Sequence, residues 1–320
     1  MEQIVMKVII TIDGELLVSG IASQGLQGQK ETVERIVDSL EHIIQADHEI
    51  ILVHGNGPQV GNMLYRGEIA SHAVHPVPLD VCGADTQGAT GYFLQQSVQN
   101  MLRQAGVERE VTAVITQVLV DEKDPDMTAP IKGVGPYFDG ERAQKYGNTR
   151  GWEFIMVPGR GQQRAVPAVL PRQILEINSI RCLMECGTIV ICAGGGGIPV
   201  RYDEQGKLTG VEAVVNKSQT ATLLANEVEA DTIVFVSQWE KIEKAFPQVD
   251  QGDCIQFTLT ELNSFIEQTK DELTDSMYLK LVASNNFLQA GGKSIWIIPP
   301  EQLGTVLDKE CGIQLIPDPE

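Results

Sequence analysis

Ile51-Leu52-Val53-His54-Gly55-Asn56-Gly57-Pro58-Gln59-Val60-Gly61 is an apolar run that breaks straight into a glycine turn. The run Ile51-Leu52-Val53 reads as a buried parallel strand, because a strand covered on both faces needs no polar alternation. Gly55 and Gly57 let the backbone pass close to a ligand, and Val60 with Met63-Leu64 begins a helical spacing. Strand, glycine turn and helix together set free backbone N–H groups and the positive end of a helix dipole against an anion. A plain strand-to-helix connection also uses glycine, so this loop alone leaves both readings open. A second one follows. Ile189-Val190-Ile191-Cys192-Ala193 runs into Gly194-Gly195-Gly196-Gly197-Ile198-Pro199. Four glycines after an apolar strand strip the side chains from one spot, as close backbone approach to a ligand requires. On that reading both loops line one cleft at strand C-terminal ends, and an acid placed at Gly195 would block an anion without unfolding the chain.

Outward from these loops the chain alternates strand and helix. Val8 to Ile12 reads as the first strand. Thr32 to Ile44 carries Val33, Ile36, Val37, Leu40, Ile43 and Ile44 at helical spacing. Thr90 to Leu102 reads as a helix, Val111 to Val120 as one strand, and Val190 to Ala193 as another. Ser218 to Val228 reads as a helix, with Thr232 to Val236 and Ser294 to Ile298 as later strands. Such alternation implies an α/β fold, an open and largely parallel sheet sandwiched by helices. Residues from about 122 to 166 break the rhythm. They are rich in Pro, Gly and charge, and too long for an ordinary loop, so they form either a mobile lid or a small subdomain. Tyr202 to Gly210 reads as an exposed hairpin.

The 320 residues are 42% apolar and only 5% aromatic, enough for a large aliphatic core. Forty-three acids against 24 bases give a formal charge of −19. That argues against nucleic acid or an anionic membrane as partner, while a small anionic ligand answers to local charge. No run of about 18 apolar residues suggests a transmembrane helix. Met1 to Lys7 shows no basic-then-apolar leader, and the six scattered cysteines read as buried free thiols of a cytoplasmic, reduced protein rather than a zinc site.

Several stretches carry a family resemblance. They are His54 to Gly61, Pro78-Leu79-Asp80-Val81-Cys82, Thr86-Gln87-Gly88 with Gly91-Tyr92, Thr116 to Asp121, Gly159-Arg160-Gly161, Ala193 to Val200, and Gly210-Val211-Glu212-Ala213-Val214. They run in one order over most of the chain, which resembles the carbamate kinases of the amino-acid kinase family. The resemblance implies a single amino-acid kinase-like domain over 1–320. An acceptor lobe would span about 1–210, with a protruding subdomain at about 122–166, and a nucleotide lobe about 211–320. It also implies reversible phosphoryl transfer between ATP and carbamate, with Mg²⁺ accompanying ATP or ADP, and a homodimer. A carbamate oxygen is already anionic, so alignment and charge neutralisation matter more than a strong base.

Three lysines fall where the family places its catalytic lysines: Lys132, Lys217 and Lys280. Substrate and phosphate binding map by resemblance to Gly14, His54, Gly55, Asn56, Gly57, Arg160, Gly194, Gly195, Gly196 and Gly197. Nucleotide binding maps to Ser237, Glu240 and Met277, and no metal ligand is assigned.

Some positions depart from the pattern. Asp13-Gly14-Glu15 stands where the family has Gly-Gly-Asn. Two carboxylates there would repel phosphate by on the order of 4 kcal/mol per close pair at an effective dielectric near 20, unless bound metal reverses the sign. Val215-Asn216-Lys217-Ser218 replaces Ile-Asp-Lys-Asp, whose second acid orients the site lysines. Asp275 replaces a glycine near Lys280, Val157-Pro158 precedes Gly159 in place of an acid and alanine, and Ser237 to Lys241 differs on the adenine side. Two readings therefore compete. One is an active carbamate kinase with a reworked phosphate site. The other is a catalytically impaired member, an anion-binding regulatory or scaffold protein. A dinucleotide oxidoreductase lacks its Gly-x-Gly-x-x-Gly signature.

Overall fold

The computed structural model describes residues 5–18, 26–250, 252–307 and 312–319. Residues 1–4, on which the reading of the N-terminus rests, and Cys311 lie outside the described residues. The strands are β1 (Lys7–Ile12), β2 (Glu49–His54), β3 (Val111–Ala113), β4 (Gln117–Val120), β5 (Lys132–Phe138), β6 (Glu153–Val157), β7 (Gly161–Val166), β8 (Ala168–Val169), β9 (Pro171–Ile174), β10 (Ile189–Ile191), β11 (Ile198–Tyr202), β12 (Leu208–Gly210), β13 (Val214–Val215), β14 (Thr232–Val236), β15 (Cys254–Thr258), β16 (Ser294–Ile298) and β17 (Gly312–Ile316). The helices are α1 (Leu26–Asp38), α2 (Glu41–Gln45), α3 (Gly57–Ala70), α4 (Leu79–Ala105), α5 (Gly140–Arg150), α6 (Ile177–Glu185), α7 (Lys217–Glu227), α8 (Trp239–Ala245), α9 (Leu259–Thr269) and α10 (Asp275–Gln289).

An eight-stranded sheet in the order β15-β17-β16-β14-β1-β2-β10-β3 forms the centre. It is parallel except where β17 runs against β16. Successive side chains of a strand face opposite sides, and the two faces bury two separate cores. Ile9, Ile51, Val53, Val190 and Phe235 pack with Ala221, Leu224, Leu281 and Phe287 of α7 and α10. Val8, Ile10, Ile12, Leu52 and Val236 pack with Val33, Val37, Ile44, Leu94 and Val98 of α1, α2 and α4. Covered on both sides, these strands read as unbroken apolar runs.

The expected helix at 32–44 is broken at Ser39-Leu40 into α1 and α2. The expected strand at 111–120 is two strands, β3 in the main sheet and β4 in a four-stranded sheet ordered β12-β11-β4-β9. Tyr202 to Gly210 forms the expected hairpin of β11 and β12. The irregular segment is a subdomain with its own sheet, β5-β7-β6, and α5. It rests on α3 and α4 through a small apolar cluster of Val60, Leu79, Cys82 and Val166. It is also held by charge. Glu68 of α3 accepts from the Tyr146 hydroxyl and pairs with Arg150 at 2.6 Å. Glu212 accepts from Leu79 N at 3.0 Å and pairs with Arg164. The Arg150 and Arg164 guanidinium groups stack on Trp152 at 4.9 and 4.6 Å from its ring centroid.

Among the described residues no helix is long and apolar enough to cross a membrane. Cys82 and Cys192 are buried thiols, both pushed up by burial, to about 11 for Cys82. Cys182 on α6, Cys186 just past its end and Cys254 on β15 are exposed, contrary to the expectation of burial. Among the described residues no group of three or more His, Cys, Asp or Glu side chains could hold a metal ion.

Candidate active site

β1 lies between β14 and β2, and the register sets Ile12 level with both Val236 and His54. Three parallel strands thus end together, followed by Asp13, Ser237 and Gly55. The chain passes from β1 to β2 on one side and reaches β14 on the other much later. At such a switch of direction an open α/β sheet leaves a crevice beyond its strand ends.

On the β14 side the crevice holds a buried ionic cluster. Asp13, only 5% exposed, accepts from Lys217 Nζ at 3.0 Å through Oδ1. Its Oδ2 accepts from Lys280 Nζ at 3.3 Å and from Ser237 Oγ at 2.6 Å. Lys280 Nζ also donates to Ser237 Oγ, and Lys217 Nζ donates to the Ile12 carbonyl at 3.0 Å. Helix starts place both lysines. Asn216 caps α7, its side chain accepting from Gln219 N at 3.1 Å, so Lys217 opens the helix. Thr274 caps α10, and Lys280 follows on its buried face, 5.5 Å from the Phe235 ring centroid. Burial alone would raise the Asp13 carboxyl. The Lys280 and Lys217 ammonium groups and the Ser237 hydroxyl outweigh it and hold the group far below the usual carboxylate range. Burial lowers Lys280, Asp13 resists, and Lys217 adds to the lowering.

This corrects the expectation of repulsion at the first loop. Asp13 is not a bare charge facing phosphate, because both its oxygens are committed to cations and a hydroxyl. Glu15 pairs with Lys241 at 3.0 Å on the surface. Asp275 is exposed in the first turn of α10, where the helix dipole favours an acid.

On the β2 side the two glycine loops lie side by side. His54 Nδ1 sits 3.2 Å from the Gly55 carbonyl, which can only accept, so Nδ1 carries the proton and Nε2 is left facing Gly194. Burial pushes the imidazole down to about 4, with the Gly55 bond resisting and Lys217 adding to the fall, so His54 is neutral at pH 7. Asn56 Nδ2 donates to Thr86 Oγ1 at 2.9 Å. Gln87 Nε2 donates to the Gly194 carbonyl at 2.8 Å, its Oε1 accepts from Thr116 N at 2.9 Å, and Thr116 Oγ1 accepts from Ala193 N at 2.9 Å. Thr86 and Gln87, adjacent buried polar residues near the start of α4, thus pin both loops. They stand in the stretches that carry the resemblance, and two buried polar residues inside one helix are the signal that would have singled them out.

The glycines are needed for a different reason than ligand approach alone. A Cβ would lie 2.4 Å from His54 Nε2 at Gly194, 2.1 Å from Asn56 Oδ1 at Gly195, 2.5 Å from the Val215 carbonyl at Gly196, and 2.2 Å from Val118 Cγ2 at Gly197. Protein groups fill each space that a side chain would take. Gly14 and Gly55 are likewise packed backbone to backbone, a Cβ on Gly55 falling 2.4 Å from Gly14 N. Gly57 opens α3 with open space around it.

The remaining assignments scatter. Lys132 is exposed at the start of β5, and Arg160 is exposed at the β6–β7 turn, 3.1 Å from the Tyr137 hydroxyl. Neither has a described contact with Asp13, Lys217 or Lys280. Among the three nucleotide assignments, Ser237 is fully buried with its hydroxyl engaged, and the Met277 side chain lies in the apolar core. Glu240 is exposed in the first turn of α8. Helix phase decides this: Met277 and Lys280 share the inward face of α10, and Glu240 points away from the sheet.

Comparison with known proteins bears on the chemistry. The model of the amino acid kinase family matches residues 6–299. The carbamate kinase-like protein YahI of Escherichia coli is 36% identical over 312 residues, 97% of this chain and 98% of that protein. The carbamate kinase of Pyrococcus horikoshii is 34% identical over 313 residues, covering 97% and 99%. The structure of carbamate kinase from Giardia lamblia bound to AMP-PNP superposes with a TM-score of 0.86 at 27% identity, covering 98% and 99% of the two chains.

Proposed function

The chain belongs to the amino acid kinase family, and on that footing we propose that it transfers a phosphoryl group reversibly between ATP and carbamate, giving ADP and carbamoyl phosphate. The observation that carries this reading is the convergence of Lys217 and Lys280 on one buried carboxylate at the level ends of β1 and β14. In the forward direction a carbamate oxygen attacks the γ-phosphorus and the bond from that phosphorus to the ADP oxygen breaks. No proton has to be abstracted from the nucleophile. The chain's task is to hold the two reactants in line and to stabilise charge on the transferred group.

We assign Lys217 and Lys280 to the phosphoryl oxygens. The backbone of Gly14, Gly55 and Gly194 to Gly197, with Asn56, forms the wall against which acceptor and phosphoryl group lie, and neutral His54 fixes that wall. Lys132 and Arg160, exposed on the subdomain, are assigned to the acceptor and phosphoryl charge on the resemblance alone. The nucleotide occupies the lobe from about residue 211 onward. Mg²⁺, when it arrives on the nucleotide, supplies further charge neutralisation. Its ligands would be phosphate oxygens and water, since the oxygens of Asp13 are already committed. The homodimer is a further part of the proposal. β3 is a three-residue strand at the edge of the main sheet, with exposed Tyr92 and Ile115 nearby, and an open edge calls for a cover. A reduced, cytoplasmic setting suits the buried thiols Cys82 and Cys192.

Purified protein given carbamoyl phosphate, ADP and Mg²⁺ is expected to form ATP, read by luciferase, with Lys217→Ala lowering the rate by roughly 10³-fold. Nucleotide binding without ATP formation would instead establish the anion-binding, non-catalytic reading.

A further inference from the structure

We propose that Asp13 is the positioning residue of the phosphoryl site: it occupies part of the donor capacity of two lysines and leaves each with one N–H aimed at the transferred group. The inference rests on the phosphotransfer reading given above. An ammonium group has three donors. Lys217 spends one on the Ile12 carbonyl and one on Asp13 Oδ1. Lys280 spends one on Asp13 Oδ2 and one on Ser237 Oγ. Each lysine therefore retains a single N–H. Asp13 is itself held, since Ser237 Oγ donates to it and its backbone N donates to the Val236 carbonyl at 3.1 Å. Without Asp13, buried Lys280 would face the Lys217 ammonium across the crevice with no anion between them. With it, the pair keeps a net positive charge in a fixed direction, and little reorganisation is left for the reaction step. A residue whose type looks hostile to phosphate thus acts through the lysines and need not touch phosphate.

The groups facing Lys280 set the expected pH response. They are Asp13 at the end of β1, Lys217 on α7, Ser237 and Phe235 at the end of β14, and Lys241 on α8, which is paired with Glu15. Only Asp13 favours the charged form by its own charge, and burial with Lys217 and Lys241 opposes it. Its removal should move Lys280 to lower pH.

The test uses Asp13→Asn and, as a variant that keeps the charge balance, Ser237→Ala. Turnover from carbamoyl phosphate and ADP is followed against pH, and Lys280 is titrated by ¹³C NMR of the labelled ε-carbon. Asp13→Asn is expected to lower kcat about 100-fold with KM for ADP within about threefold. Its alkaline limb and the Lys280 titration should both move to lower pH. Ser237→Ala should lower kcat about tenfold with the same division. A kcat within about threefold of wild type in both variants, or lost kcat with an unmoved Lys280 titration, overturns the assignment. Should Asp13→Asn not fold, Ser237→Ala decides by the same criteria. Should the wild type form no ATP, the reaction reading falls by itself. Calorimetry with AMP-PNP and Mg²⁺ then decides the role of Asp13. Affinity weakened about tenfold in either variant supports it, and unchanged affinity in both refutes it.

Discussion

His54 shows what one buried side chain does to the stability of the molecule. Its imidazole is held to about 4, against about 6.5 when unfolded. Between those values the unfolded chain binds a proton that the folded chain refuses. The stability tied to neutral His54 is therefore complete above about pH 6.5 and lost as pH falls through 4, a total of about 3 kcal/mol. Urea unfolding at pH 7 and pH 4.5 should show most of that loss, and His54→Asn should flatten it. Asp13, held low, gives stability in a more acid window: present above its unfolded value of 3.8 and lost only as pH falls further. At this scale the sequence was half legible. Lys217 and Lys280 stand out through resemblance, but Asp13 reads as an intruder. Its partners lie 204 and 267 positions away, so no spacing in the chain announces them.

The glycine loop after β10 is the element that joins the two halves of the crevice. Gly195 has φ +68° and would place a Cβ 2.1 Å from Asn56 Oδ1. Gly195→Ala should cost about 2–4 kcal/mol, from left-handed backbone strain and overpacking together. A shifted urea midpoint without ligand would show it. That outcome departs from the expectation that a change here acts only on ligand contact. Elsewhere, long apolar runs such as β1, β2 and β14 were plain, because burial on both faces writes itself into composition. Element ends were not. α4 begins at Leu79, well before Thr90; Gly83 and Gly88 disguise its first turns in the sequence, and inside it Gly91 packs on Ala113. The strand expected at 111–120 divides because Thr116 turns aside to bind Gln87 and Ala193. Both are tertiary demands that a local window cannot carry.

For the whole molecule, the interruption at about 122–166 reads from the residues as a lid or a small subdomain, but its pattern of Pro, Gly and charge hides the three-stranded sheet inside it. Its grip on the body is concentrated at Glu68 and Glu212. Glu68→Gln should release Tyr146 and Arg150, at a cost of about 1.5–3 kcal/mol to that contact. Hydrogen exchange should then quicken in α5 and β5 to β7 while β1 and β14 stay protected. Trp152 emission should change as its guanidinium neighbours loosen. Unchanged exchange in the subdomain would show that Glu68 does not hold it, and would leave the grip to Glu212 and the apolar cluster.

The central position of β1 has a consequence for how the molecule comes into being. Its partner on one side, β2, emerges from the ribosome soon after it, but β14 begins only at Thr232. Until then β1 presents an apolar edge with unpaired N–H and C=O groups, a template for the wrong partner. The lysine cluster cannot assemble before α10 follows, because Lys280 closes it from 267 positions beyond Asp13. Nascent chains therefore lack this cluster, and stay sticky, for most of their synthesis. Folding of the first and last thirds must be completed together, a non-local closure that favours slow folding and a need for chaperone cover.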